Sequence, residues 1–137
     1  MPHPNEDLLR TAYDAQSRGD LDAYLECLRE DFVLHIPGHS RIAGAYIGKE
    51  EVRRHFREIA QLSGGSFRTS VHDIIANDEH VVALVEAEAL RAGERTLLPR
   101  VHVWHVRDGK LAELWLHPVD QDAFDDYWGP SEGVRHG

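Results

Sequence analysis

The first half of the chain carries apolar residues at helical spacing. Over residues 6–17, the apolar side chains fall on one stripe, which holds Leu8, Leu9, Ala12 and Tyr13. Gly19 ends this predicted helix, and Asp20 is placed to cap a second one, whose apolar face holds Leu21, Tyr24, Leu25 and Leu28. A third helix is predicted for residues 49–62, where the inner stripe holds Val52, Phe56 and Ile59.

The remaining segments alternate apolar and polar residues with the period of a strand. Residues 32–36 form a first short predicted strand, which Pro37-Gly38 closes. Four longer predicted strands are separated by turns and cover residues 67–76, 81–91, 96–107 and 110–117. Residues 122–128 are typical of a short terminal helix, and frayed ends are expected at residues 1–4 and 129–137.

The strand faces and the order of the elements predict the fold class. One face of the 67–76 strand is expected to carry Phe67, Thr69, Val71, Asp73 and Ile75. One face of the next strand is expected to carry Ala83, Val85, Ala87 and Ala89. Helices come first and consecutive strands follow, which is typical of an α+β fold. We expect one domain over residues 1–137, with N-terminal helices packed over the concave face of a cone-shaped, curved antiparallel sheet.

The last hairpin decides which histidine faces the enclosed pocket. A three-residue loop at residues 107–109 puts His102 and Trp104 on one face with Leu114 and Leu116. A two-residue turn at Asp108-Gly109 shifts the pairing by one residue and joins His102 to Trp115. We favour the three-residue loop because it turns an almost wholly apolar face towards the pocket.

Charge and composition narrow the classes of partner. The formal net charge is −9, which argues against nonspecific binding of nucleic acid. No apolar run is long enough to span a membrane, and the first residues lack the pattern of a signal peptide. The one cysteine, Cys27, excludes an internal disulfide. A cytoplasmic location is therefore expected.

Four strings that cover most of the chain read RGDLDAYLECLREDFVLHIPG, GAYIGKEEVRRHF, HVRDGKLAELW and DQDAFDDYW. Together with the order of the elements, they resemble the NTF2-like superfamily, and within it the SnoaL-like and ketosteroid-isomerase-like proteins. The resemblance implies a cone-shaped α+β barrel, often dimeric, with a hydrophobic pocket. It does not give the reaction, because this superfamily includes isomerases, cyclases, dehydratases, epoxide hydrolases and noncatalytic binders.

The resemblance to steroid isomerases is informative at three positions. Those enzymes have a general-base aspartate just before the proline of the strand-end corner, where this chain has Ile36. Their tyrosine donor on the first helix falls nearest Ala12, with Tyr13 one residue away. Their neutral carboxylic acid falls at Val101 or His102, depending on the hairpin register. The comparison implies that any acid–base chemistry here comes from residues other than Ile36.

His102 is the first candidate for acid–base catalysis, because an apolar site disfavours the charged imidazole and leaves a neutral base or hydrogen-bond donor. His39, just after the Pro37-Gly38 corner, is a second candidate at the pocket entrance, and Tyr13 is a candidate polar partner. The residues expected to contact a ligand are Ile36, Arg41, Tyr46, Trp104, Leu114 and Leu116.

A further acid and the question of metals complete the candidate chemistry. The resemblance to SnoaL cyclases implies a catalytic aspartate near the end of the last strand, and Asp120 is the nearest acid here. Asp120 equally suits the N-cap of the terminal helix. The histidine spacings and the lack of an HExxH or cysteine cluster predict no metal site. No Gly-rich phosphate loop is present, and no cofactor is expected.

Two functions remain open. One is a cofactor-independent enzyme that moves a proton on a small apolar, cyclic or polyketide-like molecule, as an isomerase, cyclase or dehydratase. The other is a noncatalytic small-molecule-binding or dimerisation module. The expected partners are a small apolar molecule and a second copy of the chain, held through the outer face of the sheet, with no nucleic acid and no membrane.

Overall fold

The computed structural model describes residues 2–130 of the chain. The helices are α1 (Pro4–Ser17), α2 (Leu21–Glu26), α3 (Lys49–Ser63) and α4 (Gln121–Trp128). The strands are β1 (Leu28–Ile36), β2 (Gly44–Ile47), β3 (Arg68–Ala76), β4 (His80–Arg91), β5 (Glu94–Leu97), β6 (Arg100–Arg107) and β7 (Lys110–Pro118). No helix among the described residues combines the length and apolarity needed to cross a membrane.

The strands form one curved sheet with the order β2-β1-β7-β6-β4-β3, while β5 pairs with the far end of β4. The α+β fold is confirmed, but the sheet is mixed rather than wholly antiparallel, because β1 and β7 run parallel. The sheet is also not closed. Pairing between β1 and β7 joins segments about eighty residues apart, so no local pattern in the sequence reveals it.

Side-chain caps mark where α1, α2 and α4 begin. The ring of His3 accepts a hydrogen bond from the backbone N–H of Asn5 at the start of α1. Asp20 caps α2 by accepting from the N–H of Ala23, and Asp120 caps α4 in the same way by accepting from Ala123. Buried aromatic side chains from β1, β6 and α4 then fill the core between the helices and the sheet: Phe32, Trp104, Phe124 and Trp128.

Two predicted strands are interrupted in the structure. The register of β3 shifts between Val71 and Asp73, which is a β-bulge. Ile74 is therefore buried and Ile75 is 63% exposed, so the predicted placement of Ile75 beside Phe67 is wrong. The predicted strand over residues 96–107 is two strands, because the chain bends at Leu98 and Pro99 between β5 and β6.

The β6–β7 hairpin puts His102 on the predicted face, but its turn and register differ from those predicted. Asp108 and Gly109 have φ angles of 52° and 73°, as in a two-residue type I′ turn, and Arg107 pairs with Lys110. The register then shifts by one residue at Ala112, so that His102 lies opposite Leu116. The predicted three-residue loop is wrong, whereas the predicted grouping of His102 with Leu114 and Leu116 is confirmed.

The ends of the chain are partly described. Pro4 is already helical, so the predicted frayed start is shorter than expected. Near the other end, Pro130 forms an isolated bridge with Ser40, and the carbonyl of Gly129 accepts from the N–H of Arg41 over 2.8 Å. The rest of the predicted C-terminal frayed segment, residues 131–137, lies outside the described residues.

Candidate functional site

A narrow cavity lies between the inner face of the sheet and the helices. Its apolar wall from the sheet consists of Phe32, Leu34, Ile36, Trp104, Leu114 and Leu116. Its apolar wall from the helices includes Tyr24, Val52, Phe56, Ile59, Phe124 and Trp128. The cavity volume is about 60 Å³. That is room for a few water molecules, so a cyclic ligand requires the side chains to move apart.

Three side chains in this cavity form a hydrogen-bonded group. The phenol oxygen of Tyr13 lies 2.7 Å from Nδ1 of His102, and the indole N–H of Trp104 donates to the same oxygen over 3.1 Å. Since the phenol oxygen already accepts from Trp104, we take its proton to be donated to Nδ1 of His102. The ring proton of neutral His102 then resides on Nε2, which is buried and has no hydrogen-bond partner among the described residues.

The surroundings of His102 keep its ring neutral. Burial, together with the nearby charge of Arg100, lowers the pKa of His102 to about 3. Burial also raises the pKa of the Tyr13 phenol well above its usual range. At neutral pH the pair therefore consists of an uncharged imidazole and an uncharged phenol. It can donate and accept hydrogen bonds without holding a charge in the apolar cavity.

A second histidine lines the same cavity from α3. His55 is 7% exposed, and its Nδ1 has no hydrogen-bond partner in the described part of the chain. Its ring packs against Tyr46 with the ring centroids 4.7 Å apart. Burial and, secondarily, the charge of Arg100 lower the pKa of His55 to about 3. His55 is therefore a neutral imidazole with an unused nitrogen in the interior.

Arg100 brings a positive charge into this interior. The residue is 6% exposed, and burial lowers its pKa to about 10, so the guanidinium is still charged at neutral pH. Its Nε donates to the carbonyl of Leu98 over 3.0 Å. The guanidinium carbon lies 5.2 Å and 5.4 Å from the ring centroids of Phe67 and Phe124, within reach of cation–π attraction.

The structure brings together part of the predicted site. Tyr13, Ile36, His102, Trp104, Leu114 and Leu116 all line the cavity. Of the two positions that the steroid-isomerase comparison left open on β6, His102 faces the cavity and Val101 does not. On the first helix, Tyr13 faces it and Ala12 packs in the core.

Four predicted site residues lie outside the cavity lining. His39 is exposed, and its backbone N–H donates to the carboxylate of Asp125. The hydroxyl of buried Tyr46 donates to the carbonyl of Ile42 over 2.6 Å. Arg41 is half-buried beside Gly129. The exposed Asp120 caps α4. The structure therefore does not bring His39 or Asp120 to His102.

The two basic cavity residues Arg100 and His55 were not predicted, although the sequence contained a signal for each. Arg100 is two residues before His102 and four before Trp104 on β6. Side chains at this spacing share one face of a strand, so the sequence predicted that the charge of Arg100 faces the interior. His55 lies three residues from Val52 and four from Ile59, on the apolar stripe of α3. Each was overlooked because a polar residue on an apolar face does not add to a hydrophobic pattern.

The polar groups of the cavity do not include an acid. No aspartate or glutamate of residues 2–130 lines the cavity. Within that range, no group of three or more His, Cys, Asp or Glu side chains is placed to hold a metal ion. The cavity thus combines one cation, two neutral imidazoles, the phenols of Tyr13 and Tyr24, the amide of Gln16 and the hydroxyl of Thr69 with an apolar wall.

Comparison with known proteins places this chain in a family. A family model described as a SnoaL-like domain matches residues 9–114. The uncharacterised protein Rv0034 of Mycobacterium tuberculosis is 27% identical over 123 residues, which cover 89% of this chain and 94% of that protein. The structure of Bal32a, from a soil-derived mobile gene cassette, matches with a TM-score of 0.87 and 28% identity, covering 92% of this chain and 97% of Bal32a.

A predicted polyketide cyclase from Xanthomonas campestris pv. campestris has the same fold, with a TM-score of 0.65 and 24% identity over 92% of this chain and 97% of its own. The fold, the matched residues and these similarities agree over most of the chain. The chain therefore belongs to the SnoaL-like domain family of the NTF2-like superfamily.

Proposed function

We propose that this protein is a cofactor-independent enzyme that moves a proton on a small, largely apolar, cyclic or polyketide-like carbonyl compound. The observation that carries the proposal is the 2.7 Å contact between the Tyr13 phenol and Nδ1 of a neutral, buried His102 whose Nε2 has no partner among the described residues. A buried polar group without a partner is costly. A substrate oxygen that accepts from Nε2 would remove that cost.

In this mechanism His102 acts on the carbonyl oxygen of the substrate. Nε2–H donates to that oxygen, and the hydrogen bond strengthens as negative charge develops there when a proton leaves the α-carbon. Tyr13 holds the tautomer that makes Nε2 the donor. Because the depressed pKa of His102 makes it a weak base, its main contribution is hydrogen-bond donation rather than removal of the α-proton.

The acceptor for the carbon-bound proton in this proposal is His55. Its Nδ1 has no partner in residues 2–130 and its ring is neutral, as general-base catalysis requires, although the low pKa limits its strength. Return of the proton to another carbon gives an isomerase, loss of a hydroxyl gives a dehydratase, and carbon–carbon bond formation gives a cyclase. The matched predicted polyketide cyclase agrees with the last of these.

A second candidate function is a noncatalytic binding module. It is favoured by Ile36, which stands where steroid isomerases have their general base, and by the lack of acidic side chains around the cavity in residues 2–130. Under this alternative the imidazoles and the phenol hold a ligand by hydrogen bonds and no proton is transferred to or from carbon.

Exchange of α-hydrogens for deuterium in D₂O, followed by NMR, tests the proposal on a panel of enolisable cyclic ketones and diketones. His102→Asn keeps an amide that can accept from Tyr13 but removes Nε2. For any ketone whose exchange the protein accelerates, we expect the variant to lower kcat by about 100-fold or more, because it removes a donor to the developing charge.

His117→Asn is the control, because His117 is an exposed residue on β7 and should leave the exchange rate unchanged. Undiminished exchange in His102→Asn would remove His102 from the mechanism. Ligand binding without exchange across the whole panel would favour the noncatalytic module.

We also propose a homodimer that forms through the outer face of the sheet, and a cytoplasmic location. Support for the dimer comes from an exposed aromatic surface on that face. Trp115 is 42% exposed there and stacks on His35 with the ring centroids 3.7 Å apart. Trp115 sits beside the half-buried Val103, its cross-strand partner on β6. A second copy of the chain would cover this aromatic surface.

A further inference from the structure

The guanidinium of Arg100 is buried without a counter-ion in the described chain. No carboxylate among residues 2–130 lies within ion-pair distance of it, and its Nη2 is buried without a hydrogen-bond partner there. Other arginines in the same range, such as Arg29 and Arg53, pair with exposed aspartates at the surface. A buried charge is usually compensated by an opposite charge, so the surroundings of Arg100 are incomplete for a purely structural side chain.

The side chains around Arg100 are also compatible with a bound anion. His55 and His102 line the same cavity, and each has one buried nitrogen without a partner in the described residues. Both rings are close enough for the charge of Arg100 to affect them. The chain as a whole carries a formal charge of −9. The interior of the cavity is thus a local positive site in an acidic protein.

We propose that Arg100 anchors an anion subsite in this cavity, and that the ligand is a small, largely apolar acid whose carboxylate binds the free Nη2 of Arg100. The neutral imidazole N–H of His102 adds a hydrogen bond to the ligand, and the apolar wall holds its ring. The subsite rests on the proposed function, because it names the class of substrate that the same cavity takes: a carbonyl compound that also carries a carboxylate.

A structural role for Arg100 makes a different prediction. Its Nε supports the bend at Leu98, and its side chain lies over the rings of Phe67 and Phe124. If these contacts were its purpose, replacing the charge with an apolar chain of similar length would destabilise the protein without a selective effect on acids. If the charge is there for a ligand, the same replacement should remove acid binding and leave the fold as stable or more stable.

The experiment compares benzoate with its uncharged isostere benzamide by titration calorimetry at pH 7.5. We expect the wild-type protein to bind benzoate at least about 10-fold more tightly than benzamide, because only benzoate offers an anion to Arg100. Arg100→Met should weaken benzoate binding by at least about 10-fold and change benzamide binding by less than about 3-fold. Arg107→Met, at an exposed position on the same strand, should change neither.

Several results would overturn the subsite. One is equal binding of the two probes by the wild-type protein, and another is benzoate binding that survives in Arg100→Met. Failure of the wild-type protein to bind either benzoate or the larger 2-naphthoate is a third. Circular dichroism shows whether Arg100→Met is folded. Failure to fold would show that Arg100 also has a structural role; the subsite is then decided by the wild-type comparison of acid with amide and by Arg100→Lys, which keeps the charge and should keep the preference for benzoate.

The outcomes separate the subsite from the proposed function. Arg100-dependent binding of acids, with no α-hydrogen exchange on keto acids or neutral ketones, would retain the subsite and reject the enzyme. Accelerated exchange on neutral ketones, with no exchange on keto acids and no inhibition by carboxylates, would retain the enzyme and reject the subsite.

Discussion

The phenol of Tyr13 serves two buried neighbours at once, since it accepts from Trp104 and contacts Nδ1 of His102. Tyr13→Phe would leave both of these nitrogens without a partner. Each unsatisfied buried group costs about 1–3 kcal/mol, so we expect the free energy of unfolding to fall by about 2 kcal/mol or more. Urea denaturation at pH 7 measures the change.

Tyr24→Phe is the matched control for this prediction. Tyr24 is a buried tyrosine on the same cavity, and its hydroxyl has no hydrogen-bond partner among the described residues. Its replacement should cost less than about 0.5 kcal/mol. Equal losses in the two variants would mean that the hydrogen-bonded group around Tyr13 contributes little to stability.

At the scale of elements, the corner after β1 is held against α4 at Gly38. Gly38 has a φ of 98°, and a Cβ there would lie 2.3 Å from both Oδ1 of Asp125 and Nε2 of Gln121. These side chains can move only by giving up their hydrogen bonds to the backbone of His39 and Pro37. We expect Gly38→Ala to lower the free energy of unfolding by about 2 kcal/mol, from backbone strain and these lost contacts.

Gly93→Ala separates the two contributions. Gly93 has a φ of 82° in an open turn, where an added Cβ would meet no described atom within 4 Å beyond its own chain neighbours. Its replacement should show the backbone strain alone, about 1 kcal/mol. Thermal or urea denaturation of both variants gives the difference. A Gly38→Ala variant no less stable than Gly93→Ala would show that the corner is not packed as described.

The elements also show which parts of the fold and the site the sequence could predict. Periodicity predicted the helices and the side of β6 that carries His102, because both depend on neighbouring residues. It could not predict the bulge in β3 or the extra residue Ala112, because a bulge is stabilised by the partner strand. Arg100 and His55 lie on the inward faces that periodicity predicted for β6 and α3, although neither was predicted as a cavity residue. The position of His39 depends on the path of a loop, which no sequence pattern encodes.

For the whole molecule, two neutral buried histidines make stability depend on pH. The pKa of His55 and of His102 is about 3 in the folded protein, below the ordinary value of 6.5. Above about pH 6.5 both histidines are neutral in the folded and in the unfolded protein, so they add no pH dependence to the free energy of unfolding. Between about pH 6.5 and 3 only the unfolded chain takes up these protons, so stability falls as the pH falls.

The expected loss between pH 7 and pH 5 is about 2 kcal/mol for each of the two histidines. Urea denaturation at pH 7, 6 and 5 measures it. His55→Leu removes one of the two groups and should reduce the loss by about half. A loss of the same size in that variant would contradict the assignment of His55 as a buried neutral residue.

The one-residue bulge at Ala112 affects how this chain must be aligned with its relatives, because it determines which residues of β7 face the interior. Consider a relative that lacks the extra residue and keeps the same turn. Its inward-facing β7 residues would be those that an ungapped alignment matches to odd-numbered residues of this chain. An ungapped alignment would then match inward-facing residues of one protein with outward-facing residues of the other. Substrate preferences transferred between family members along β7 are therefore meaningful only after a gap has been placed at this position.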